Sequence, residues 1–285
     1  MSTRDEHAVS QRKTQPQTGD AVAITPNHDT VDDDSRDSFE SFTVPRSTSS
    51  KVPPVVPKLN STYGSHDYWE DRFENEDSFE WLLSYEQLAA QIEPHLLPVS
   101  RILVVGCGNA PFSADLYDAG YHNIVNVDYS ETVIANMQQR HLTERLQMEW
   151  LVMDMTDLSA LMDASFDVVI DKAAMDAIMT KESDVWNPDA SVVRASRDMC
   201  RHISRILRPD GGVFLQISLA QPHFRKRYLL AWHGNPGADE ADDSYAADFG
   251  WTYRAEAAGR PESSAGMFGH FLYVMIKSTR PVTST

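Results

Sequence analysis

The stretch that most constrains this chain is Arg101-Ile-Leu-Val-Val-Gly-Cys-Gly-Asn-Ala110, followed by Ile124-Val-Asn-Val-Asp128. An unbroken apolar run that ends in glycines reads as a strand buried on both faces and turning sharply into a helix. Gly106 and Gly108 permit backbone conformations that other residues resist, and they leave no Cβ between the turn and a ligand. Taken alone, two glycines also mark an ordinary tight turn. The carboxylate of Asp128, 22 residues after Gly106 at the tip of the next strand, adds the second half of the pattern. An acid there can accept hydrogen bonds from both hydroxyls of a ribose. The pair of signals points to nucleoside binding.

A dinucleotide site places a pyrophosphate on a helix N-terminus through G-x-G-x-x-G. Here the positions read Gly106-Cys-Gly-Asn-Ala-Pro111, so the third glycine is absent. Pro111, read as the first helical residue, also removes an N–H that could face phosphate. The turn suits a cofactor without phosphates, such as S-adenosylmethionine.

Composition divides the 285 residues unevenly. Residues 1–60 carry Asp32-Asp-Asp34 and Val52-Pro-Pro-Val-Val-Pro57, too little apolar surface to offset chain entropy, and are expected to form a disordered tail. Residues 61–285 are expected to form the folded domain. Met1 to Asp20 shows neither the apolar core of a secretory signal nor the acid-free character of a mitochondrial presequence. No run reaches the ~18 apolar residues of a membrane span. Two cysteines, Cys107 and Cys200, make no disulfide framework, so a cytoplasmic setting and no membrane partner are expected. The net charge of −17 disfavours nucleic acid and favours a basic protein as partner, since the one basic cluster, His223-Phe-Arg-Lys-Arg227, is short.

From residue 63 the signals alternate as in a doubly wound α/β domain. Strands are expected at 101–105, 123–127, 148–152, 166–170 and 212–218, with helices near 82–92, 111–119, 130–141 and 192–207. Trp251-Thr-Tyr-Arg254 and Phe268 to Ile276 read as a closing strand pair, giving a mostly parallel, seven-stranded, Rossmann-like sheet. Residues 234–248 read as an insertion loop.

Chemistry-bearing residues gather at the expected strand ends. Asp154 follows the third strand and Asp171-Lys172 the fourth, so with Asp128 three acids fall along one rim, where open parallel sheets bind ligands. Asp154 reads either as an acceptor for an adenine amine, with the Met155 N–H beside it, or as a helix N-cap. Lys172 reads as a surface partner of Asp171 or Asp176, or as a contact to the cofactor carboxylate. Trp69, Phe73 and Trp81 either cap a sheet face or form a lid over an adenosyl group and its sulfonium, a cation that aromatic faces attract. His223 and His270 are weaker polar candidates.

Together, Tyr68-Trp69, Glu80-Trp81, Val105-Gly-Cys-Gly-Asn109, Val127-Asp-Tyr-Ser130, Met153-Asp-Met155, Asp171-Lys172 with Asp176-Ala177, and Ser218 through Pro222-His-Phe-Arg225 resemble the class I S-adenosylmethionine-dependent methyltransferases. More narrowly, they resemble the branch that methylates lysine in translation elongation factor 1-alpha, of the type found at the endothelin-converting enzyme 2 locus. The resemblance covers about residues 63–278. It implies that Trp69, Phe73, Trp81, Gly106, Gly108, Asp128, Tyr129, Asp154, Met155 and Lys172 line the cofactor site.

Two positions depart from the pattern. Val104 stands where many class I enzymes carry an acid, and Ala173-Ala-Met-Asp176 where family members often show Gly-Thr-Leu-Asp. No Asn-Pro-Pro-aromatic motif follows the fourth strand, which turns the expectation away from amide and nucleobase acceptors. A lysine acceptor must first lose its proton, so a narrow channel without metal is expected, with Asp171 and Asp176 guiding the amine. A small-molecule methyltransferase and a cofactor-binding scaffold without activity are the alternatives.

Overall fold

The apolar runs form the middle of a mixed sheet. Ile102–Val105 (β1), Ile124–Asp128 (β2), Glu149–Val152 (β3), Val168–Lys172 (β4) and Val213–Ser218 (β5) lie parallel, in the order β3-β2-β1-β4-β5. Beyond β5 the sheet continues antiparallel through His270–Lys277 (β8), Trp251–Ala258 (β7) and Tyr245–Ala246 (β6). The computed structural model describes residues 57–181, 188–230, 245–259 and 269–278, all within one compact unit, Ser49–Thr285. Residues 1–56 of the disordered tail expected at 1–60, and most of the expected loop at 234–248, lie outside the described residues.

Seven strands are expected from the apolar runs, and among the described residues the sheet has eight. The extra strand is Tyr245–Ala246, two residues inside the stretch read as a loop. Two residues are too few to show a period, so only pairing with β7 reveals them.

Among the described residues, seven α-helices flank the sheet: His66–Asn75 (α1), Tyr85–Ile92 (α2), Phe112–Asp118 (α3), Glu131–His141 (α4), Ala174–Met179 (α5), Ala190–Ile206 (α6) and Pro222–Leu229 (α7). The helix expected from Leu82 starts at Tyr85. Leu82 adopts φ 62, outside helical space, and Ser84 with Gln87 forms a reciprocal capping box. Sheet alternation sorts the core into two layers. Ile102, Val104, Ile170 and Leu215 pack with Leu88, Phe112, Leu116 and Val133, whereas Leu103, Val105, Val127 and Val169 pack with Met175, Met199 and Ile203. Each fully buried side chain of this size contributes about 1.5–3 kcal/mol. Both faces are therefore covered, and the ligand-accessible edge is the carboxyl end of the parallel strands. No helix among the described residues is long and apolar enough to cross a membrane.

Candidate functional site

A cavity of about 710 Å³ opens at that edge, between the tips of β1, β2, β3 and β4 and the segment 60–82. Its floor is the turn after β1. Gly106 and Gly108 have φ of +57 and +54, and a Cβ built on Gly106 would lie 2.4 Å from the Cβ of Ala174. Gly106 is thus required by both backbone and space, and Gly108 by its backbone. The Gly108 N–H donates to Asp128 Oδ2 and the Ser130 N–H to Asp128 Oδ1, each at 3.0 Å.

Asp128 is only 5% exposed, yet it lines the cavity. Burial pushes its carboxyl up to about 6, against the Ser130 and Gly108 amides that favour the ionised form. The Gly108 and Ser130 amides fall on different carboxylate oxygens, and a carboxylate has acceptor capacity for more. Two adjacent acceptors beside a floor without side chains fit the hydroxyl pair of a nucleoside ribose.

The other walls come from three places. Tyr129 follows Asp128, and its ring lies 4.8 Å from that of His66 on α1. Asp154 and Met155 follow β3 and also face the cavity. Asp154 is exposed; its Oδ1 accepts from the Thr156 N–H and hydroxyl at 2.8 Å each, which leaves Oδ2 open. It closes a turn, and no helix follows for it to cap. On the third side Trp69 stacks on Phe73, with centroids 5.5 Å apart, and meets Trp81 edge-on at 5.9 Å. Trp69 is fixed by donation from its Nε1 to Tyr63 O at 2.7 Å. The Arg72 guanidinium lies 5.7 Å from the Trp69 ring and 4.9 Å from the Trp81 ring, and its charge is met by buried Glu76. Phe73 also belongs to the core, so the two readings of these aromatics hold together: they cover the sheet and they wall the cavity.

Lys172 lines the cavity with its side chain 7% exposed. It pairs with neither Asp171 nor Asp176. Its ammonium donates to Glu80 and, at 2.7 Å, to Trp81 O, tying the aromatic wall to the end of β4. Burial moves both partners toward their neutral forms, Lys172 downward and Glu80 upward, against their mutual attraction.

Alternation along β4 separates Asp171 from its neighbour. Asp171 is paired in register with Val105 and Gln216, on the face away from Lys172, and it does not line the cavity. Fully buried, it accepts from the Ala174 and Met175 amides and from Gln216 Nε2 at 2.7 Å, fastening the start of α5. Burial raises its carboxyl to about 6, with Gln216 opposing. Asp176, one turn later, does reach the cavity and holds Ser218, Leu219 and Arg225. His223 is exposed, and neither it nor His270 lines the cavity.

The sequence reading passes over Asn60, Tyr63, His66, Leu82, Thr180 and Ala195, all on the wall. Asn60 falls in the stretch assigned by composition to the tail, yet it begins a short 3-10 helix. Two strained residues also mark the site: Leu82 at φ 62 and Ala173 at φ 70.

A methyltransferase-domain family matches residues 102–211. The mouse eEF1A lysine and N-terminal methyltransferase is 41% identical over 175 residues, covering 61% of this chain and 24% of that protein. The chain therefore spans about a quarter of the length of those relatives. The mouse EEF1A lysine methyltransferase 4 is 38% identical over 179 residues, covering 62% of this chain and 69% of that protein. Among solved structures, a SAM-dependent methyltransferase from Methanosarcina mazei is 18% identical with a TM-score of 0.45, over 66% of this chain and 97% of that one. With its identity to EEF1A lysine methyltransferase 4 running over more than two thirds of that protein, the chain belongs to the same methyltransferase family.

Proposed function

We propose that the protein is an S-adenosylmethionine-dependent methyltransferase whose acceptor is a lysine side chain of translation elongation factor 1-alpha. The observation that carries this reading is the continuity of one cavity. It runs from a ribose-shaped pair of acceptors on Asp128 to a carboxylate, Asp176, that faces the same space from α5. The named relatives, eEF1A lysine methyltransferases of 38–41% identity, supply the acceptor in the proposal.

The residues present fit the cofactor. Asp128 holds the ribose, Asp154 Oδ2 and the Met155 amide address the adenine, and Gly106 to Gly108 leave room for the backbone to approach. Trp69, Phe73 and Trp81 offer aromatic faces to a cation and exclude water. When bound, S-adenosylmethionine would supply an electrophilic methyl carbon, to which a neutral amine bonds as the C–S bond breaks and S-adenosylhomocysteine leaves as a thioether. The chain's task is to position and desolvate, worth up to about 7–11 kcal/mol in well-oriented systems. A lysine ammonium entering the dry channel is pushed toward its neutral form by burial, while Asp176 orients it. Asp171 acts one step back, by fixing the start of the helix that carries Asp176.

Incubating the purified full chain with methyl-labelled cofactor and a cell extract tests the acceptor. Label in one protein identified as the elongation factor supports the proposal. Label confined to small metabolites points to a small-molecule methyltransferase, and cofactor binding without transfer to a scaffold; either overturns it.

A further inference from the structure

Arg225 is a buried charged side chain beside the cavity, 1% exposed on α7, yet it does not line the cavity itself. Its Nη2 donates to Asp176 Oδ1 and, at 3.1 Å, to Ser218 Oγ. The Ser218 hydroxyl donates to the same Asp176 Oδ1 at 2.6 Å, and the Leu219 N–H donates to Asp176 Oδ2 at 3.0 Å. A carboxylate has about four lone-pair directions. Three are taken by these donors, two on Oδ1 and one on Oδ2. A single acceptor direction remains, on Oδ2, in a side chain that faces the cavity.

We propose that Arg225, with Ser218, is a positioning residue for methyl transfer: the pair locks Asp176 so that its one free lone pair receives an N–H of the acceptor amine. The inference rests on the amine-acceptor reading above. Burying a guanidinium to hold one carboxylate is costly unless its geometry serves something. The cost is visible here, because Nε and Nη1 of Arg225 find no hydrogen-bond partner among the described residues. An anchor made only for stability would be expected to satisfy that fork. Arg225 instead spends its contacts on the one carboxylate of α5 that reaches the cavity. With three donors fixing its carboxylate, Asp176 orients the amine, and the proton leaves to water.

The test compares wild type with Ser218→Ala, Arg225→Lys and Arg225→Met, using labelled cofactor and purified elongation factor 1-alpha. Wild-type transfer tests the underlying reading separately; its absence overturns that reading and leaves the variants to be compared for cofactor-product binding only. With wild type active, kcat is expected to fall about 10- to 100-fold in Ser218→Ala and Arg225→Lys, and further in Arg225→Met. The affinity for S-adenosylhomocysteine should stay within threefold of wild type. A positioning role also predicts partial recovery in Arg225→Lys relative to Arg225→Met. Should Arg225→Met not fold, Ser218→Ala decides. Unchanged kcat in Ser218→Ala and Arg225→Lys, or a loss that only follows cofactor-product affinity, overturns the inference.

Discussion

Replacing Asp128 with alanine tests the cofactor end of the cavity most sharply. Asp128 lines the cavity, and its two oxygens accept from Gly108 and Ser130, each at 3.0 Å, with acceptor capacity to spare. Two hydroxyl bonds to a charged acceptor, at about 1.5–3 kcal/mol each, sum to about 3–6 kcal/mol. Bonds to one group are rarely additive, so the lower half of that range is the realistic one. It corresponds to about 10²- to 10³-fold weaker binding of S-adenosylhomocysteine. Truncation also leaves the Gly108 and Ser130 amides without an acceptor, a loss of about 1–3 kcal/mol in folding stability. Relief of the burial penalty on the carboxylate offsets part of it. Titration calorimetry at pH 7.5 reads the affinity, and a circular dichroism melt checks that the variant is folded. Asp128→Asn keeps one acceptor and the side-chain volume, and should fall between wild type and alanine. An alanine variant that melts cooperatively and binds within threefold of wild type would refute the assignment of the ribose to Asp128.

The same carboxyl sets a pH dependence. Its folded-state value of about 6 means that product affinity should weaken as pH falls below about 6, approaching tenfold per pH unit, which calorimetry between pH 5 and pH 8 checks. For Asp128 and Asp171, both raised from 3.8 to about 6 by burial, the folded state binds more protons than the unfolded one within that window; their contribution to stability therefore declines as pH rises through it, measurable by urea titration. Ala173→Gly should stabilise the protein by about 0.5–1 kcal/mol, the left-handed penalty of about 1–2 kcal/mol less the greater chain entropy of glycine, and raise Tm by a few degrees. Lys172→Met should release the Trp81 segment and weaken product binding about tenfold; its cost in stability should be smaller than for a fully buried pair, since Glu80 is 23% exposed.

Much of the parallel half of the fold is legible because its inner strands are buried on both faces and so carry apolar runs, from Ile102 to Val105 and from Val213 to Leu215. The cofactor end is legible for a related reason. Gly106, Gly108 and Asp128 do local work at fixed places in one βαβ unit, so their spacing survives in the sequence. The acceptor end is assembled from distant pieces and leaves no such trace. Asp171 and Asp176 look alike on the page, and only strand alternation and one helical turn decide that Asp176 reaches the cavity. Lys172 finds its partner 92 residues away, at Glu80, in preference to either nearby acid. Arg225, 49 residues from Asp176, sits in a basic cluster that reads as surface charge, yet it is buried. Helix α1 hides because its aromatics and charges share a narrow period, and packing against α4 rather than propensity holds it in place.

A crystal structure of the protein grown with S-adenosylhomocysteine would examine the cofactor end directly. The ribose hydroxyls should lie within about 3 Å of the Asp128 oxygens, and the sulfur should face Asp176 across the channel. A ligand seated elsewhere, or a ribose turned away from Asp128, would contradict the reading on which the proposed chemistry depends.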